Sequence, residues 1–239
     1  MKSFEDPITT FQTNVIGTLN LLEGIRKTDI NPIIQICSSS EVYGQVKKDE
    51  IPIKEDTLFH PANPYGVSKV TVDRLAFQYS QAYGLKTIIT RAFPHTGPRR
   101  NSIFAESSFA KQLIEIEKGK NNIISVGNLD SIRSFLDVRD IAVAYWLATE
   151  KCGFGEPYNI GSEAPVTMNE LLSKLIDLSK VDAIIKRDTK LLRPTDTSNH
   201  IPDTTKFKKQ TNWQPKISIE KTLSDLLDYW RSRISSNST

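Results

Sequence analysis

The chain is poor in residues that staple or ligate: it has two cysteines in 239 residues, Cys37 and Cys152. Two thiols make neither a disulfide framework nor a metal-ligand spacing, so no metal is expected and a reducing cytoplasm fits. Long apolar runs are missing too. The longest, Ile141 to Ala148, is too short for a bilayer span, and the start Met1-Lys-Ser-Phe-Glu-Asp-Pro7 has no apolar signal region. No membrane partner is expected. Strong charge of one sign is also absent, the formal net charge being +3. The basic spots at Lys47-Lys48, Arg99-Arg100 and Lys206-Phe-Lys208-Lys209 form no stripe with interleaved aromatics. That argues against nucleic acid and for a phosphorylated small molecule. No internal repeat or low-complexity linker is present. What remains, 38% hydrophobic and 25% charged, is an ordinary globular composition.

Periodicity supplies the elements. Asp6-Pro7 opens a helix as N-cap and first helical residue, and Phe11, Val15, Leu19 and Leu22 recur at helical spacing to about Lys27. Ile33–Cys37 is a nearly all-apolar strand of the kind buried in a parallel sheet. Pro52, Pro61 and Pro64 mark a loop, after which a helix runs to about Tyr83 and stops at Gly84. Residues 85–93 read as a strand, 94–101 as a loop and 104–118 as a helix. Strands near 123–126, 158–160 and 183–186 alternate with helices at 138–149, 167–179 and 218–233, and a short helix follows Asp203. Thr167-Met-Asn-Glu170 is a capping box. Residues 235–239 are expected to be a disordered tail.

The β-α alternation over residues 1–120 implies parallel, right-handed crossovers. The expected fold class is α/β: an incomplete doubly wound, Rossmann-like parallel sheet, with residues 121–234 forming a smaller, mixed α/β substrate lobe interleaved with it. Ligands of such sheets bind beyond the carboxyl ends of the strands, where residues 38–41 and 94–100 are placed.

Chemistry concentrates there. Tyr65 and Lys69 stand four residues apart, on one helical face. An ammonium held there lowers the phenol pKa, so the tyrosine can shuttle a proton near neutral pH. A serine hydroxyl from the run Ser38-Ser39-Ser40-Glu41 can bind the same substrate oxygen. The trio suits alcohol oxidation, with the proton going to tyrosinate and the hydride to a nicotinamide. Read alone, Tyr-x-x-x-Lys is also compatible with a solvated helix face. Ser38 and Ser40 read as turn formers, Arg100 as a loop-solvating residue, and Trp146, Trp213 and Trp230 as packing residues. His95 is either a packed strand-end histidine or a neighbour of the nicotinamide, and Asn14 is either a helix-kink residue or part of a proton relay.

Several blocks occur in order: Asn14-Val-Ile-Gly-Thr-Leu-Asn-Leu-Leu22, Ser38-Ser-Ser-Glu-Val-Tyr-Gly44, Pro64-Tyr-Gly-Val-Ser-Lys69, Arg91-Ala-Phe-Pro-His-Thr-Gly-Pro-Arg-Arg100, Gly127-Asn-Leu-Asp-Ser-Ile-Arg133, Asp137-Val-Arg-Asp140 and Leu192-Arg-Pro-Thr-Asp196. Together they resemble the extended short-chain dehydrogenase/reductase family, in the nucleotide-sugar epimerase/dehydratase branch that includes GDP-mannose 4,6-dehydratase. The resemblance implies catalytic roles for Ser39, Glu41, Tyr65, Lys69 and Asn14. Tyr65, Lys69 and His95 would meet NADP (or NAD), and Ser40, Arg133, Arg193 and Asp196 the nucleotide sugar, a GDP-hexose. Ser39 would bind the sugar 4-oxygen, Tyr65 take its proton, and Glu41 strip the C5 proton. A homodimer through the Tyr65 helix is implied as well, with Leu75, Phe77, Tyr79 and Tyr83 offering apolar surface.

The departures are specific. The Gly-x-x-Gly-x-x-Gly turn that seats a pyrophosphate is absent, and roughly 80 residues of a complete dinucleotide-binding half would be missing. Pro94 replaces the asparagine usual in the dehydratases, and Asp137-Val-Arg-Asp140 is closer to the reductases and epimerases. A GDP-4-keto-6-deoxy-sugar reductase, a nucleotide-sugar epimerase and a truncated, inactive fragment or sugar-nucleotide-binding pseudo-enzyme therefore stand beside the 4,6-dehydratase reading.

Overall fold

The computed structural model describes residues 2–192 and 199–236. Helices α1 (Lys2–Glu5) and α2 (Pro7–Phe11) lead through a π-helical turn, Gln12–Ile16, into α3 (Gly17–Arg26). The Asp6 carboxylate accepts Thr9 N–H at 3.0 Å, as the Asp-Pro signal implies. The single helix expected over residues 7–27 is thus interrupted, and Asn14 lies in the interruption.

Strand β1 (Ile33–Cys37), helix α4 (Pro64–Tyr83) and strand β2 (Lys86–Ala92) form one right-handed βαβ unit. Asn63 caps α4, Pro64 takes its first position, and Gly84 closes it at φ 69. Two-residue strand β3 (His95–Thr96) falls inside the stretch expected to be loop. Then come α5 (Ala105–Glu117), β4 (Ile123–Val126), β5 (Ile132–Arg133), β6 (Leu136–Asp137) and α6 (Val138–Lys151). The remaining elements are β7 (Pro157–Ile160), β8 (Val166–Thr167), α7 (Met168–Ser179), β9 (Ile184–Arg187), α8 (Thr205–Thr211) and α9 (Ile219–Ser236). The Thr167–Glu170 capping box forms in both directions. Helix α9 continues through Ser235, so the expected tail is helical at its start.

The main sheet is parallel throughout, in the order β1-β2-β7. Consecutive residues of β2 face opposite cores. Ile89 packs with Leu22, Ile34, Ile36, Val72 and Ala76 beneath α3 and α4, whereas Ile88 packs with Ile141, Ala144, Ala148 and Phe207 beneath α6 and α8. This alternation is the doubly wound arrangement itself. A third core joins α5, α7 and α9 to β4, which pairs with β9 in parallel.

Some sequence expectations change. Strand β1 is not buried on both faces: Ile34 and Ile36 are buried, while Ile33 is 46% exposed and Cys37 is exposed. Among the described residues its only strand partner is β2. Trp146 is 68% exposed on α6 instead of packed. Tyr79 is buried and donates to Glu23 Oε1 at 2.7 Å, so it offers no surface.

A polar network runs through the interior beneath the strand ends. Arg91 on β2 donates from Nε and Nη2 to Asp73 of α4 at 2.8 and 3.0 Å, the two side chains being 1% and 0% exposed. Its Nη1 donates to the Tyr43 hydroxyl at 2.8 Å and to the Glu55 carbonyl at 2.7 Å. Tyr43 in turn donates to Asn159 Oδ1 of β7 at 2.7 Å. Asp73→Asn would leave Arg91 buried without its counter-charge, and is expected to cost about 3–5 kcal/mol of stability in urea unfolding. The double substitution Asp73→Leu with Arg91→Met should restore part of that loss.

Candidate active site

The site grows from two chain segments meeting at the carboxyl ends of β1 and β2. After β1 the chain turns into a short 3-10 helix, Ser40–Val42, capped by Ser39, whose Oγ accepts Glu41 N–H at 3.2 Å. Ser38 donates to Asp73 Oδ2 at 2.8 Å and so fastens the turn to α4. The opposing segment is the first turn of α4. Its cap, Asn63, accepts Gly66 N–H on Oδ1 at 2.7 Å and donates from Nδ2 to Glu41 Oε2 at 2.8 Å. One amide therefore sets both where the tyrosine helix begins and where the Glu41 carboxylate sits.

Gly66 explains how closely the two segments approach. A Cβ there would lie 2.7 Å from the Glu41 carbonyl oxygen and 3.1 Å from Pro61 Cβ. Tyr65 is half-buried, and the Ser39 hydroxyl facing its phenol favours the phenolate. Lys69 Nζ lies 5.6 Å from the centroid of the Tyr65 ring and donates to the Cys37 carbonyl at 2.8 Å. Asn14 donates from Nδ2 to Ser68 Oγ at 2.9 Å, and Ser68 donates to the Tyr65 carbonyl at 2.7 Å. The asparagine thus braces the tyrosine turn and reaches the residue beside Lys69, not Lys69 itself.

The electrostatics correct one expectation. Burial raises the Tyr65 phenol above its ordinary pKa, as the Glu41 charge also does, while the Ser39 hydroxyl and the Arg100 cation pull it down. The phenol is therefore not simply acidified by Lys69, whose own pKa is lowered by burial. His95 Nδ1 lies 3.0 Å from the Phe93 carbonyl. A carbonyl only accepts, so Nδ1 carries the proton, and burial keeps the ring neutral by lowering its pKa.

Ser39, Glu41, Tyr65, Lys69 and, through Ser68, Asn14 are brought together. Ser40 lies in the 3-10 turn and is buried. Arg133 is on β5, its Nη1 donating to the Ile132 carbonyl at 2.9 Å. Arg193 and Asp196 lie outside the described residues. Sequence reasoning missed Asn63, Asp73, Arg91 and Arg100. Asn63 before Pro64 carried a capping signal, whereas the partners of Asp73 and Arg91 are too distant in sequence to be read.

The family model described as GDP-mannose 4,6 dehydratase matches residues 1–226. GDP-6-deoxy-D-mannose reductase of Pseudomonas aeruginosa is 33% identical over 98% of this chain and 77% of its own length. GDP-mannose 4,6-dehydratase of Vibrio cholerae serotype O1 is 27% identical over 94% of this chain and 68% of its own length. The solved structure of RMD from Pseudomonas aeruginosa, complexed with NADPH, superposes with a TM-score of 0.92 at 33% identity, covering 97% of this chain and 77% of that one.

Gly66→Ala is expected to push the Ser39–Glu41 turn away from Tyr65. Turnover should fall by about 10²-fold, the scale of a 1 Å misplacement, with a far smaller effect on the melting temperature; both are measured on the purified variant.

Proposed function

Because the chain belongs to the GDP-mannose 4,6-dehydratase family of NAD(P)-dependent nucleotide-sugar enzymes, we propose that its site carries out the 4,6-dehydration of a GDP-hexose, GDP-mannose to GDP-4-keto-6-deoxy-mannose. The observation that carries the reading is the Glu41 carboxylate, fixed by the Asn63 cap between Ser39 and the Tyr65 helix.

The strand-end surface fits the nicotinamide–ribose end of NADP. Cys37 is exposed at the tip of β1, its carbonyl already holds the Lys69 ammonium, and the neutral His95 opens β3. NADP, when bound, would supply hydride acceptor and donor chemistry to the sugar. The residues do the rest. Ser39 holds the 4-oxygen and Tyr65 accepts its proton. A carbonyl at C4 then acidifies the C5–H bond, so an ordinary carboxylate, Glu41, suffices to take that proton and pass it to the 6-hydroxyl, which departs as water. Arg193 and Asp196 remain assigned to the nucleotide sugar by resemblance, as does Arg133, whose guanidinium geometry suits a diphosphate.

A second reading, reduction of the 4-keto-6-deoxy sugar, is favoured by the 33% identity to the Pseudomonas reductase. It uses the same Ser39, Tyr65 and Lys69 in reverse and needs no base at C5. In GDP-mannose turnover assays, dehydration should run on catalytic amounts of NADP and vanish in Glu41→Gln. Survival of dehydration in that variant would refute the role given to Glu41; stoichiometric NADPH consumption on the keto sugar would select the reductase.

The proposal includes a homodimer. Exposed Ile8, Ile16 and Leu21 on the N-terminal helices and Val67, Phe77 and Tyr83 on α4 supply apolar surface for a second copy. Phe77→Asp is expected to shift sedimentation from dimer to monomer. Among the described residues no helix is long and apolar enough to cross a membrane, and the two free thiols suit the cytoplasm.

A further inference from the structure

Three chain segments meet at Gly44. This residue follows the serine turn directly and adopts φ +57, a conformation that favours glycine. A Cβ there would collide with the His60 carbonyl and lie 3.0 Å from Pro61 Cα, so the turn is pressed against the lead into α4. From the third side comes His200, buried, with Nε2 2.7 Å from the Gly44 carbonyl oxygen. A carbonyl only accepts, so Nε2 carries the proton and donates. The imidazole is seated among aromatic rings. Its centroid lies 6.2 Å from that of Phe93, which packs at 6.1 Å against Tyr43, the neighbour of Gly44.

His200 belongs to a strap, residues 199–203, with a different attachment on each side. On one side Asn199 N–H donates to the Ile132 carbonyl at 3.2 Å, and Arg133 and His200 pair as a parallel β-bridge. The buried Ser134 hydroxyl donates to the His200 carbonyl at 3.1 Å. On the other side Ile53 N–H donates to the Ile201 carbonyl and Asp203 N–H to the Ile53 carbonyl, both at 2.8 Å. The strap thus lies beside Arg133 of β5, while its imidazole reaches the turn that carries Ser39 and Glu41. That turn is internally tied, Val42 N–H donating to the Ser39 carbonyl at 3.3 Å and Tyr43 N–H to the Ser40 carbonyl at 3.1 Å. A displacement of Gly44 is therefore passed to both functional side chains.

We infer that His200 is a positioning residue: its imidazole fixes the serine turn relative to Arg133, and so sets the reacting groups against a sugar nucleotide held at β5. The inference rests on the reading of Ser39 and Glu41 as catalytic and of Arg133 as a diphosphate ligand, and deepens it. A substrate gripped at its diphosphate presents its sugar some distance away. An error in the spacing between grip and turn then costs turnover, not affinity.

Two measurements on the full chain test this. The first is hydrogen exchange without ligand, reading the amides of residues 41–43. His200→Leu removes the donor, so exchange in the turn should quicken while α7 and α9 stay as in wild type. His200→Gln keeps an N–H of similar reach and should restore protection of the turn. The second is turnover. His200→Leu should lose about 10²-fold in kcat, the scale of a 1 Å misplacement, with KM unchanged, and His200→Gln should recover most of it. Exchange in the turn that is the same in wild type and His200→Leu overturns the inference. So does quickening spread evenly over the molecule, a Gln variant no better than Leu, or a loss confined to KM. Should His200→Leu not fold, His200→Phe, which keeps a ring against Phe93, replaces it in the comparison with Gln. The exchange measurement uses no sugar, so a wrong dehydratase reading shows separately, as absent turnover beside a turn loosened by Leu and restored by Gln.

Discussion

The buried pair Asp73–Arg91 is the contact on which the geometry of the site depends. Removing two charges from water costs several kcal/mol per ion, recovered only when geometry is good and every donor is satisfied. Here all three guanidinium nitrogens are used, on Asp73, Tyr43 and Glu55. The return is orientation. Tyr65, Lys69 and Asp73 follow at four-residue intervals, so they share one face of α4. Fixing Asp73 against β2 therefore fixes the helix rotation that aims the phenol and the ammonium. Because Ser38 binds the same Asp73 carboxylate, the serine turn and the tyrosine helix are registered against one group.

What the sequence made legible follows from how local each signal is. Helix α4 announced itself by Asn63-Pro64 and Gly84, and α7 by its capping box, because caps are read within four residues. The Ser39, Tyr65 and Lys69 grouping was readable because the two motifs flank one βα connection of a parallel sheet. Strands of two residues, such as His95–Thr96, leave no periodicity to detect and were read as loop. The π-helical turn around Asn14 looked like continuous helix because an inserted backbone residue barely disturbs a pattern of apolar positions. Long-range polar partners were illegible: Tyr43 and Asn159 are 116 residues apart. Arg100 was misread for the same reason, since its burial depends on Phe104, Glu106 and a backbone reversal at Arg99 that composition does not encode.

The Asn63 amide shows why dehydratase and reductase chemistry are so close on this scaffold. The C4 step needs only a hydroxyl donor, a phenol and a cation, all held by the α4 register and the turn after β1. The C5 step adds one demand, a carboxylate at fixed distance from that pair. The cap that any N-terminus of α4 would require already reaches Glu41, so the base proposed for that step costs little new architecture. A family can then diverge at C5 while keeping the C4 machinery intact.

Burial of the phenol opposes its use as a base, and this conflict accounts for the arrangement of charges around it. Excluding water protects the reacting carbon and strengthens every nearby field, but it also disfavours phenolate. A single ammonium on the same helix is a weak remedy when a backbone carbonyl holds it. The Ser39 hydroxyl facing the phenol does more to offset its desolvation than any cation around it.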